Sequence, residues 1–124
     1  MTGVRQWAAS GLLVFVLAYV YYATEATLRV TVEGEHFRFE PATIRVRVTV
    51  EPDAQNRYLI MALNDGDVTV GRSDEELRGA AAPRTRWREF KSVPAGEYAA
   101  VAVVHRADRS ELQARAAVTV LSRQ

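Results

Sequence analysis

Ile44-Arg45-Val46-Arg47-Val48-Thr49-Val50 alternates apolar and polar side chains without a break. A strand sends successive side chains to opposite faces, so this stretch predicts a β-strand. Its dry face carries Ile44, Val46, Val48 and Val50, and its wet face Arg45, Arg47 and Thr49. The same period runs outward in both directions. Upstream, Leu28, Val30 and Val32 alternate with Arg29 and Thr31, and Phe37 to Pro41 is a short extended piece with Pro41 suited to an edge or turn. Downstream, Tyr58 to Leu63 is apolar on both faces and predicts a central strand, closed by the turn residues Asn64-Asp65-Gly66 and a returning partner over Asp67 to Val70. Ser73-Asp74-Glu75-Glu76 has serine at an N-cap and glutamate three residues on, which predicts one short helical turn ending at Gly79. Further strands are predicted over Arg84 to Phe90, Tyr98 to His105 and Leu112 to Leu121, parted by turns at Ser92 to Gly96 and Arg106 to Ser110. This spacing predicts an all-β domain of seven to eight strands folded as a two-sheet sandwich.

The string Pro94-Ala95-Gly96-Glu97-Tyr98 resembles the turn, glycine and tyrosine corner of immunoglobulin-like and fibronectin type III-like domains, and it precedes the penultimate strand as it does there. Where immunoglobulin domains place a cysteine two residues after the tyrosine, this chain has Ala100. The resemblance is therefore to the cysteine-free relatives and implies an immunoglobulin-like β-sandwich, not an activity. Phe37-x-Phe39-x-Pro41-x-x-Ile44 is also similar to the opening strands of cupredoxins. Their copper chemistry needs a thiolate between imidazoles, and the chain has no cysteine.

The N-terminus is of another kind. Gln6 to Thr24 is uncharged and centred on Leu12-Leu13-Val14-Phe15-Val16-Leu17-Ala18. As a helix it would reach roughly 28 Å at about 1.5 Å per residue, close to the hydrocarbon thickness of a bilayer. Trp7 at one end and Tyr19, Tyr21 and Tyr22 at the other suit the two membrane interfaces, and Arg5 before the span with Glu25 after it holds the N-terminus inside. Ala8 and Gly11, three apart, would permit close helix packing. A cleaved signal peptide is the competing reading. Thr24-Glu25-Ala26 is a poor cleavage site for it, crowded by tyrosines. Residues 1–26 are thus expected to be a single transmembrane anchor in a bacterial cytoplasmic membrane, and residues 27–124 an exported, periplasmic domain.

Arg5 is the one charged residue among the first 24, so the remainder carries 15 basic and 15 acidic side chains. A neutral domain is a poor match for nucleic acid. No cofactor or metal is expected: His36 and His105 stand apart in sequence, and no Gly-x-Ser-x-Gly elbow surrounds any serine. Asp65, Asp67, Asp74, Glu75 and Glu76 cluster, but without the spacing of a calcium loop. The chain accordingly reads as no enzyme. What stands out is arginine with a strand period: Arg29, Arg45 and Arg47, then Arg84-Thr85-Arg86-Trp87-Arg88. With Trp87 turned into the core, Arg45, Arg47, Arg84, Arg86 and Arg88 would share one outer face, able to meet carboxylates or lipid phosphates. The expected function is a non-catalytic accessory subunit of an integral membrane protein complex, with electron-transfer assemblies such as photosynthetic reaction centres or respiratory complexes as the class in view. The alternative is a free-standing, membrane-anchored binding module for a soluble or envelope ligand.

Overall fold

Ala42–Val50, the strand with the clearest alternation, is the fourth of nine among the described residues. The computed structural model describes residues 20–22, 27–34 and 38–123. In chain order the strands are β1 (Val20–Tyr22), β2 (Leu28–Glu33), β3 (Arg38–Phe39), β4 (Ala42–Val50), β5 (Asn56–Asp65), β6 (Val68–Glu76), β7 (Thr85–Val93), β8 (Gly96–Arg106) and β9 (Glu111–Leu121), with one 3-10 turn at Gly79–Ala81. They form two sheets. One is ordered β1-β9-β8-β5-β6, with β3 also on β9, and the other β2-β4-β7.

The alternation in β4 is realised as read. Ile44, Val46, Val48 and Val50 are buried and meet Leu59, Met61 and Leu63 of β5, Ala100, Ala102 and Val104 of β8, and Val118 and Val120 of β9 in one core. Each fully buried aliphatic side chain contributes about 1.5–3 kcal/mol, so β4 alone matters on the scale of a whole domain's net stability. β5 is central as expected, between β8 and β6. The hairpin from β5 to β6 turns on Gly66 and Asp67, with Gly66 at φ 58°, the positive φ that a two-residue turn asks of its first glycine. At the corner Tyr98 donates its hydroxyl hydrogen to the Pro94 carbonyl at 2.7 Å, the bond that the motif implies. Burial of the ring raises the phenol's pKa.

Two expectations are corrected. The capped helical turn at Ser73–Glu76 is the second half of β6. Gly71, Ser73, Glu75 and Leu77 alternate inward there, and the helical turn comes later, at Gly79–Ala81, without a side-chain cap. Ser73 and Glu75, two apart, fit a strand face as well as Ser73 and Glu76, three apart, fit a cap, and pairing with β5 decides it. The helix expected over residues 6–24 does not run through its far end either. Val20–Tyr22, rich in β-formers, pairs in parallel with Glu111–Gln113 of β9. Among the described residues no helix is long and apolar enough to cross a membrane. Trp7, Ala8, Gly11 and Tyr19 lie outside the described residues, as does His36.

Candidate functional site

The arginines divide between two sides of β7. Antiparallel pairing sets Arg47 opposite Trp87 and Arg45 opposite Glu89, while Val46 and Val48 face Arg88 and Arg86. Side chains directly opposite share a face, so Trp87 lies outside with the arginines of β4, and Arg86 and Arg88 lie on the core side. Trp87 is 43% exposed and Phe90 takes the buried place. The expected face of five arginines with a buried tryptophan is therefore corrected. Trp87 and Phe90 are three apart, and an odd spacing in a strand puts the two rings on opposite faces. That spacing was the available sign that only one of them could enter the core.

On the outer face, the Arg45 guanidinium lies 4.2 Å from the centre of the Trp87 ring and that of Arg47 5.7 Å. Arg47 also reaches Glu33 of β2 at 3.5 Å. Arg29 shares this face, opposite Thr49. Among the described residues neither Arg29 nor Arg45 has a carboxylate within ion-pair distance. The stacked pair contributes on the order of 0.5–1 kcal/mol at such exposure, with a second guanidinium near the same ring.

The other arginines find partners within the molecule. Arg84, one residue ahead of β7, pairs with Glu51 at 3.1 Å. Arg86 Nε lies 3.0 Å from Glu75 Oε2 on β6, an ion pair too poorly aligned to count as a hydrogen bond, so that this buried nitrogen has no hydrogen-bond acceptor. Arg88 donates to the Ser73 hydroxyl. Among the described residues β6 and β7 are the end strands of their two sheets, and these contacts join them across the rim. Phe90 completes the join: its ring lies so close to Gly71 that a Cβ there would stand 2.5 Å from Phe90 Cδ1.

The remaining candidates do not converge. Asp65 and Asp67 flank Gly66 at the hairpin turn, Asp74 pairs with Arg72 at 2.7 Å and Glu75 with Arg86. The Arg72 guanidinium beside Asp74 lowers that carboxyl's pKa. His105 Nδ1 lies 3.1 Å from Glu111. Among the described residues no three histidine, cysteine, aspartate or glutamate side chains are grouped to hold a metal ion. A site that sequence reading missed is Glu40. Its carboxylate accepts hydrogen bonds from the backbone N–H of Ala95, the Ser122 hydroxyl and the backbone N–H of Arg123, which together lower its pKa. These donors come from segments 55 and more residues away, so no local pattern announces them.

No family model matches the sequence, and no curated protein matches it. Solved structures do resemble the fold. The sulfur carrier protein SoxY from Chlorobium limicola f thiosulfatophilum superposes with a TM-score of 0.63 at 12% identity, covering 97% of this chain and 100% of that one. A superoxide reductase (neelaredoxin) from Ignicoccus hospitalis gives 0.58 at 15%, covering 84% and 97%. A putative superoxide reductase from Thermotoga maritima gives 0.55 at 15%, covering 82% and 94%. These likenesses establish an all-β fold of the kind that SoxY and the superoxide reductases share. They also correct the expectation that the chain is no enzyme: structures named as reductases are built on this architecture, so a fold without a familiar motif is no ground for that reading. Identity this low carries the fold and no activity.

Proposed function

We propose that this chain is an immunoglobulin-like β-sandwich domain, tethered to a bacterial cytoplasmic membrane by the segment ahead of Val20. On this reading it serves as an accessory subunit of a membrane protein complex and braces a periplasmic partner with the outer face of β2, β4 and β7. The order β2-β4-β7 against β9-β8-β5-β6, together with the Tyr98 corner, supports the immunoglobulin-like assignment.

The observation that carries the functional reading is the Arg45–Trp87 stack. A half-exposed indole flanked by guanidinium groups, with no carboxylate among the described residues on Arg45, is the composition that dominates binding energy at protein interfaces. Arginine meets carboxylates through two parallel N–H donors, so a partner surface bearing Asp or Glu fits this face. A tether on the same bilayer raises the effective concentration of the second contact, and a modest patch then suffices.

Purification of the full chain from membranes in mild detergent tests the proposal. The unaltered protein is expected to migrate with a membrane complex, Arg45→Gln with Trp87→Ala to lose it, and Arg84→Gln, which disturbs only the Glu51 pair, to keep it. Absence of any stable companion of the unaltered protein would favour the free-standing binding module instead.

A further inference from the structure

On the far side of β7 from the Arg45–Trp87 stack, a second surface is built differently. Among the described residues β6 and β7 each end a sheet, so along each of them one row of backbone N–H and C=O groups has no neighbouring strand. Both strands carry an irregularity at the same height. Between Leu63 and Asn64 the partner in β6 jumps from Gly71 to Thr69, leaving Val70 as an extra residue. Between Ile44 and Ala42 the partner in β7 jumps from Phe90 to Val93, and Ser92 in that gap has φ 58°, a conformation that residues other than glycine seldom adopt. Bulges bend the strand that bears them. Here two of them face each other across the rim and a cleft of about 530 Å³ opens between the sheets, beyond the point where Phe90 sits on Gly71. That volume lies within the roughly 300–1,000 Å³ of ordinary ligand sites.

The lining names the occupant. Leu63, Val70, Phe90, Val93 and Pro94 give a mainly polar cleft its apolar part, and Arg88 and Lys91 stand on it as cations. Among the described residues neither has a carboxylate within ion-pair distance. Glu89, the acidic residue on the lining, stands opposite Arg45 in the β4–β7 register, and the lining stays cationic on balance with Arg72, Arg88 and Lys91. Val68 and Val70 are 63% and 47% exposed on a free edge, where natural sheets usually place charges. We propose that the cleft between β6 and β7 takes an extended, acidic segment of a partner protein as an added strand. An apolar side chain of that segment seats over Phe90 and its carboxylates meet Arg88 and Lys91. Backbone pairing supplies affinity in such additions, and the pockets beneath alternate side chains supply selectivity.

The full chain in mild detergent, titrated with two end-blocked nonapeptides of alternating glutamate and valine or alternating lysine and valine, tests this. The acidic peptide is expected to bind at least tenfold more tightly than the basic one at low salt, with the gap closing as salt rises. Backbone amides of residues 68–72 and 88–93 are expected to gain hydrogen-exchange protection when it binds. Lys91→Glu should erase the preference, Val70→Glu should abolish binding, and Arg115→Gln on β9 should change neither. If Val70→Glu unfolds, Lys91→Glu at a surface position decides alone. Equal binding of the two peptides would overturn the proposal, and so would protection confined to other strands. Protection of 88–93 that grows with protein concentration and no peptide would mean that a second copy is the occupant, which also overturns it.

Discussion

β4 and β7 lie side by side, both interleave arginine with apolar residues, and they direct those arginines in opposite ways. In β4 the arginines face outward and the aliphatic residues fill the core. In β7 Arg86 and Arg88 turn inward, and the large ring of Trp87 is left outside beneath Arg45 and Arg47. Position explains the difference. β4 has a strand on each side, so whatever it points inward is buried deeply, where a guanidinium would lose its water and find no partner. β7 ends its sheet, and its inward face opens onto the rim, where Arg86 and Arg88 reach Glu75 and Ser73 of β6. An inward arginine is tolerable at an edge and costly at a centre.

The strongest test of that contrast is Ile44→Ala. Ile44 is fully buried on the central strand, so the loss should be about 2–5 kcal/mol in urea melts, and a loss below about 1 would mean that β4 does not form the core. Gly71→Ala comes next. Its new Cβ would press on Phe90, the ring that takes the core place on β7, and overpacking of this kind costs about 1–3 kcal/mol. Trp87→Ala should cost only about 1 kcal/mol, the stack and a half-exposed ring, against the roughly 3–5 of a buried aromatic. A loss of about 3 or more would return Trp87 to the core and erase the contrast. A double-mutant cycle on Arg86→Gln and Glu75→Gln should give a coupling of about 0.5–1 kcal/mol, and zero coupling would leave Arg86 inward without a reason.

The smallest effect is a matter of pH. Glu40 stands just ahead of β4 and accepts from Ala95 just after β7, so one carboxylate fastens the two strands at the end where Ala42 meets Val93. Its pKa lies below the ordinary 4.5, chiefly through the Ala95 N–H. The stabilisation is then complete above the unfolded value and is lost as pH falls through the lower, folded one. Glu40→Gln should lower the neutral plateau slightly and flatten the acid limb, because the stabilisation it removes is the part present above the unfolded pKa. An unchanged acid limb would remove Glu40 as the fastener.

The legible parts of the fold were those carried by period two and by turn chemistry. Ile44 to Val50, the Gly66 turn and the Tyr98 corner were each written in a few adjacent residues. What failed was the choice between two faces of one strand. Arg84 to Phe90 alternates correctly, but alternation is symmetric, and the size of Trp87 argued for the wrong side. Its cover comes from β4, about forty residues earlier, which no window on β7 contains. The Ser73–Glu76 stretch failed for a related reason: a cap and an edge strand ask for similar residues, and only the partner strand decides. Of the candidate face, Arg45 and Arg47 were legible and Arg86 and Arg88 were not, because their inward turn depends on β7 being an edge.

The short parallel pairing of Val20–Tyr22 with Glu111–Gln113 bears on how this protein would carry a mechanical load. A pull on the chain ahead of Val20, opposed at the C-terminal end of β9, would act along both strands at once. Parallel neighbours loaded this way slide past each other, and their hydrogen bonds must give together, whereas a hairpin pulled at its open end unzips one bond at a time. β1 would thus act as a shear clamp. Force arriving from the N-terminal segment would reach this three-residue pair before it reached the core strands.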